Sequence, residues 1–225
     1  LVFITEGGTL NVGDGTQLIN NNATAVYVNR NSFFNMNGGV IKDNTITNPN
    51  WGGAGIYTCG TTVINDGEIS GNSTSIWGGG ILAEGGTLTL NGGEIKNNSA
   101  ANGAGVTING GAQAVLNGAS ITENNAVDYG AGVYVQGFSN TDGLDTVFEM
   151  RDGLISGNVS ENATGAGIFG YYYSGNTVIR ISGGTIKGNR CTAEEIGSAV
   201  TIYGIDGSDA YPRVELSGSP EIVGD

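Results

Sequence analysis

The sequence predicts an all-β fold, a right-handed parallel β-helix (solenoid) of about seven coils with three short strands in each. Three recurring patterns carry that prediction. The first is an isoleucine followed three residues later by asparagine: Ile41/Asn44, Ile69/Asn72, Ile95/Asn98, Ile121/Asn124, Ile155/Asn158 and Ile186/Asn189, with Ile222/Asp225 as a seventh copy. The intervals are 28, 26, 26, 34, 31 and 36 residues. The second is an apolar residue and a glycine turn ahead of each isoleucine, as in "MNGGVI", "INDGEI", "LNGGEI", "LNGASI", "MRDGLI" and "ISGGTI". The third lies between these and reads "WGGAGIY", "WGGGIL", "NGAGVT", "YGAGVY", "TGAGIF" and "IGSAVT".

Each repeat thus holds three β-like runs separated by Gly or Asn corners. Residues alternate apolar and polar around the runs, as in Val133-Tyr134-Val135-Gln136. That is the period of a half-buried strand rather than a helix. One repeat cannot bury its own apolar face, but stacked repeats bury a continuous one. At roughly 4.8 Å per coil the rod would be on the order of 30 Å long. The glycines of "NGG" are expected at tight corners with positive φ, and those of "GAG" where neighbouring coils approach closely. The recurring asparagine is expected to stack on its counterparts, amide to amide and amide to backbone.

Composition narrows what such a rod does. Glycine takes 42 of 225 positions, yet 38% of residues are hydrophobic, so the chain has the anchors that disorder lacks. The whole of 1–225 reads as a single domain. Against 8 basic residues stand 21 acidic ones, a net charge of −13, which argues against nucleic acid and anionic membrane as partners. No apolar run approaches the length of a membrane-spanning helix, and the opening "LVFIT" lacks the basic start of a signal peptide. The expectation is a segment of a longer surface protein, with no membrane insertion and with end-to-end self-association as the alternative account of its ends. Histidine is absent, which removes His-based triads and most zinc sites. Cys59 and Cys191 fall four or five coils apart, too far for a disulfide.

The repeats resemble those of bacterial cell-surface β-helix proteins, in particular the chlamydial polymorphic membrane proteins. "GGAGI" (52–56), "GAGV" (103–106 and 130–133) and "GAGI" (165–168) match the first half of that family's repeat. The second half departs, because Ile stands where the family has Phe before x-x-Asn. The resemblance covers about residues 22–225. It implies an extracellular or cell-surface location in a bacterium and an adhesin role.

If the aliphatic of each glycine-rich run points inward, the next residue points out. That outward row is Tyr27, Tyr57, Leu82, Thr107, Tyr134, Phe169 and Thr201. Its aromatics either pack under loops or offer a platform to a sugar or a partner protein. The spacing from first to second strand also changes along the chain. It is 8, 9 and 10 residues at 56→64, 81→90 and 106→116, then 17, 13 and 16 at 133→150, 168→181 and 200→216. Three insertions at one corner of successive coils should cluster, and loops on a rigid scaffold are where binding residues concentrate. The candidate ligand-binding residues are therefore Tyr134, Phe169, Tyr171, Tyr172, Tyr173, Tyr211 and Arg213, facing a glycan or host surface ligand.

Two of the insertions carry D-G-x-D, at Asp142 and Asp145 and at Asp206 and Asp209. These four carboxylates are the candidate metal ligands, with calcium the one cofactor considered; Asp-Gly is equally a good turn. On the second strand Glu149, Arg180 and Glu215 fall on successive coils. They read either as an ion-pair ladder or as two carboxylates flanking an arginine. No catalytic residue is assigned. The leading expectation is a non-enzymatic adhesin or ligand-binding module, with loops at 137–146, 170–176 and 204–213 as its site. The alternatives are a polysaccharide lyase or glycosidase of pectate-lyase-like fold, and a passive stalk.

Overall fold

The computed structural model describes residues 2–138, 143–192, 198–204 and 212–224. Three parallel sheets run the length of the molecule, and every strand pairs with its counterpart one coil away. Among the described residues the first sheet holds eight strands, including Val26–Val28, Ile56–Thr58, Ile81–Glu84, Val106–Asn109, Val133–Gly137, Ile168–Tyr172 and Val200–Tyr203. Seven turns separate its first strand, Val2–Ile4, from its last. The second sheet carries the longest strands, such as Phe33–Lys42, Thr61–Ser70, Gln113–Thr122 and Thr146–Ser156. The third is built from two-residue strands, Thr45–Ile46 through Arg190–Cys191. Both ladder directions are parallel, as a coil that always winds the same way requires.

Alternation along the strands sends one aliphatic set inward. Val26, Ile56, Ile81, Val106, Val133 and Ile168 from the first sheet meet Met36, Ile64, Leu90, Leu116, Met150 and Ile181 from the second, all buried. The isoleucines of the Ile-x-x-Asn signature, Ile41 to Ile186, fill the remaining side of the same core.

The glycine turn of the second pattern is placed differently from the expectation. At 91–93 the glycines separate Thr87–Leu90 from Glu94–Lys96, but in Phe33–Lys42 the chain passes through "NGG" and continues as one strand, with the register against Thr61–Ser70 shifting between Met36 and Asn37 and again between Asn37 and Val40. This is a β-bulge, which re-aims the strand without ending it. Gly67 shows why the position takes glycine. Its φ is +111°, and a Cβ there would lie 2.6 Å from Met36 Cε and 2.8 Å from Gly39 O. The two runs flanking the glycines belong to one sheet, continuous in Phe33–Lys42 and interrupted between Thr87–Leu90 and Glu94–Lys96, and the third sheet is formed by a short strand just past the asparagine.

That asparagine forms the expected ladder. Nδ2 of Asn44, Asn72, Asn98, Asn124 and Asn158 each donates to Oδ1 of the next, at 2.8, 3.0, 3.0, 3.0 and 2.9 Å. Each also donates its backbone N–H to the same oxygen and its second amide hydrogen to the carbonyl of the aliphatic residue one coil back, Leu18 for Asn44 and the signature isoleucine for the other four. Asn21 begins the row, donating to Asn44 Oδ1 at 2.7 Å. It follows Leu18, which pairs with Ile41, so Leu18-x-x-Asn21 is a further copy that Leu in place of Ile had concealed. A second amide ladder runs along the bulges on the exposed face, linking Asn37, Asn65, Asn91 and Asn117.

Candidate functional site

The corner between the first and second sheets is tight in the early coils and expanded in the later ones. Strand Val133–Gly137 pairs with Ile168–Tyr172 so that Gln136 faces Tyr171 and Gly137 faces Tyr172, and Tyr171 in turn faces Tyr203. The insertions that follow these strands therefore leave from stacked positions. Gly137 O accepts the backbone N–H groups of Tyr173, Ser174 and Gly175, which ties the second insertion to the start of the first. Their aromatic rings meet: Phe138 stacks on Tyr173 with centroids 5.1 Å apart, and Tyr171 lies 6.3 Å from Tyr173 and 6.0 Å from Tyr203. Phe138 is 42% exposed, Tyr173 51% and Tyr203 58%, while Tyr171 is half-buried beneath them.

Beside this patch runs a charged strip on the second sheet. Glu149 faces Arg180 and Arg180 faces Glu215 in register. Glu149 pairs with Arg151 on its own strand through two bonds of 2.8 Å, while Arg180 Nε reaches Glu215 at 2.9 Å. Arg213 joins the strip to the loops, with Nε 3.1 Å from Glu215 and an Nη 3.9 Å from Asp145. The Arg151 guanidinium holds the Glu149 carboxyl below the usual carboxylate range, and Arg180 does the same for Glu215. A lowered folded-state value makes this stabilisation present above the ordinary glutamate range and lost as pH falls through the folded value. In a carbon-detected NMR titration, Glu149 is expected to titrate below the ordinary value of about 4.3, and Arg151→Gln to return it upward. An unmoved midpoint in that variant would remove Arg151 as the cause.

Residues 34–211 match the family model of a right handed beta helix region, which is most of the chain. The chain belongs to that family. No curated protein and no solved structure matches it. Membership accounts for the right-handed coil and leaves function to be argued from the side chains mounted on it.

The β-helix distributes the sequence-predicted residues unevenly. Tyr171, Tyr172 and Tyr173 fall together at the insertion corner with Arg213, as just described. Tyr134 and Phe169 occupy the outward row of the first sheet in the expected register, but only 5% and 3% of them is exposed. Their rings stack on each other at 5.8 Å, and Tyr129 from the connection before Val133 closes over Phe169 at 4.5 Å. Packing under that connection leaves these two no face for a ligand. Of the four carboxylates considered for calcium, Asp145 uses one oxygen to accept from Asn176 Nδ2 at 2.8 Å and turns the other toward Arg213. Asp142, Asp206, Asp209 and Tyr211 lie outside the described residues. Among the described residues no three acidic or thiol groups converge as a metal site. Both cysteines are free, and burial pushes both thiols up, away from the reactive thiolate.

Two members of the patch, Phe138 and Tyr203, carry no signature of their own in the sequence. Phe138 is the first exposed residue after the strand Val133–Gly137, and Tyr203 ends the strand Val200–Tyr203 opposite Tyr171, a position that only the register identifies. Sequence reasoning also passed over both tryptophans, Trp51 and Trp77, which precede first-sheet strands at the opposite corner.

Proposed function

We propose that this β-helix is a non-catalytic ligand-binding module that takes a glycan at the insertion corner, as part of a bacterial surface protein of the kind its repeats resemble. One observation carries the reading. The ends of first-sheet strands on three successive coils bring Phe138, Tyr171, Tyr173 and Tyr203 into one partly exposed aromatic patch, with the Arg213–Asp145 pair on the neighbouring second-sheet side. A stalk has no need of exposed rings that cost solubility, whereas a sugar offers C–H faces to rings and hydroxyls to the charged edge. The same edge argues against hydrolysis. A glycosidase needs one carboxyl held protonated, and Glu149 and Glu215 are both held ionised by their arginines.

The test is a glycan array probed with the wild-type chain and with Tyr171→Ala/Tyr173→Ala/Tyr203→Ala. Binding to at least one glycan, weakened tenfold or more in the variant at unchanged melting temperature, is the expected result. Equal binding by both proteins would move the site elsewhere. New reducing ends released from any bound polysaccharide would replace this reading with the enzymatic one.

A further inference from the structure

Both tryptophans of the chain sit far from the insertion corner, on the opposite side of the first sheet. The connection from Thr45–Ile46 to Ile56–Thr58 is nine residues long, where the next three connections from third to first sheet have six, five and six. The extra length forms a fixed turn rather than a loose loop. Asn48 Oδ1 accepts from the Asn50 N–H at 3.0 Å, Asn48 O accepts from the Trp51 N–H, and Thr74 Oγ1 donates to Trp51 O at 3.0 Å. Trp51 stands at the end of this turn, 51% exposed.

Trp51 lines two hollows, which therefore meet at this residue. One, of about 510 Å³, is lined by Phe3, Asn22, Thr24, Tyr27, Asn48 and Trp51. The other, of about 270 Å³, is lined by Asn50, Trp51, Tyr57, Trp77, Leu82 and Glu84. The floor of both is the outward row: Phe3 stacks on Tyr27 at 4.5 Å and Tyr27 on Tyr57 at 4.8 Å. Here the row is open, in contrast to its buried continuation at Tyr134 and Phe169.

We infer that these two hollows are subsites of a second binding site, for a short neutral oligosaccharide straddling Trp51. The lining selects that chemistry. Among the described residues no lysine or arginine borders either hollow, and the one charged side chain, Glu84, accepts from the Tyr57 hydroxyl at 2.6 Å, so an acidic ligand meets no counter-charge there. A wholly apolar ligand would leave the amides of Asn22, Asn48 and Asn50 without partners on binding. A quaternary ammonium needs several ring faces around it. Tyr27 has its faces taken by Phe3 and Tyr57, which leaves its edge and hydroxyl toward the hollow. Indole faces for sugar C–H groups, with amides and phenol hydroxyls for sugar hydroxyls, is the combination a neutral glycan uses.

Because Trp51 and Trp77 are the only tryptophans, indole fluorescence reports this site and is blind to the tyrosine patch. The experiment titrates the chain with cellohexaose, chitohexaose, maltohexaose and mannohexaose, with oligogalacturonate and choline chloride as acidic and cationic comparators, and repeats each binder by calorimetry. Expected is a saturable change with at least one neutral hexaose, weakened tenfold or more in Trp51→Ala and largely kept in Trp51→Phe. The Tyr171→Ala/Tyr173→Ala/Tyr203→Ala variant should bind as the wild type does, since the two sites are separate. No response to any neutral hexaose overturns the inference, as does response to choline or oligogalacturonate alone. Undiminished calorimetric affinity in a folded Trp51→Ala protein overturns it too.

Discussion

Asn124→Ala is expected to lower the free energy of unfolding by about 3–4 kcal/mol, at one to a few kcal/mol for each buried polar group left unpaired. Asn124 is fully buried, and its backbone N–H and side chain together make five hydrogen bonds. It donates its backbone N–H and one amide hydrogen to Asn158 Oδ1, and the other amide hydrogen to Ile95 O. Its own Oδ1 accepts the backbone N–H and an amide hydrogen of Asn98. Alanine keeps the backbone bonds and removes the four made by the side chain. The Asn98 N–H and the Ile95 carbonyl then face a void with neither water nor protein to pair with. Asn91→Ala is the matched comparison. Asn91 makes the same amide-to-amide bonds to Asn65 and Asn117, but on the exposed face. Water replaces what is lost there, so the cost should stay under about 1 kcal/mol. Urea denaturation of the two variants beside the wild type reads the difference directly; equal midpoints would mean that the inner ladder is no more than decoration on the coil.

The second large effect is expected from Gly132→Ala, with a loss of about 2–3 kcal/mol from overpacking. A Cβ at this position would lie 2.6 Å from Gly167 O, 3.0 Å from Asn158 Nδ2 and 3.0 Å from Ile155 Cγ2. Asn158 Nδ2 is a ladder atom, Ile155 Cγ2 belongs to the packed core, and Gly167 O accepts from the Val133 N–H. None is the free end of a flexible side chain, so the neighbouring coil must shift as a unit. Gly105 meets Gly132 O at 2.6 Å and Gly80 meets Gly105 O at the same distance, so the constraint is passed along the rod. Gly188→Ala separates this from ordinary backbone strain. Its φ is +59° with nothing within 4 Å of a Cβ, so only the conformational cost applies, on the order of 1 kcal/mol. Thermal melts that rank Gly132→Ala with Gly188→Ala would contradict close packing between coils as the reason for the "GAG" motif.

Much of the candidate site was legible for the same reason as the coil. The spacing from first to second strand counts residues, and an excess of residues at one corner has nowhere to go but outward. Tyr171, Tyr172 and Tyr173 were therefore found by arithmetic. Phe138 lay within the predicted loop 137–146 without being singled out, and Tyr203 fell just before the loop at 204–213, because its place in the patch depends on its register against Tyr171. The longer connection at 47–55 escaped for a related reason. It lies between third and first sheets, and the third sheet's two-residue strands leave too weak a pattern to measure a spacing against.

What the sequence by itself determined is the contact between one coil and the next. Inward aliphatics, the asparagine ladder and the glycines between them recur at the repeat period, and a parallel stack places equal positions directly above one another. That is a nearest-neighbour property, and it survives any change in the loops. What only the tertiary structure decided is how each pattern is used where coil meets connection. At 37–39 the "NGG" glycines bend a strand instead of turning a corner, because the register to the next coil resumes after them. One outward row of aromatics is open at Tyr27 and Tyr57 and sealed at Tyr134 and Phe169. The difference is made by the path of each connection, with Trp51 standing off the row at one end and Tyr129 folding over it at the other. Such a path is set by packing against side chains from other coils, so it leaves no period in the sequence.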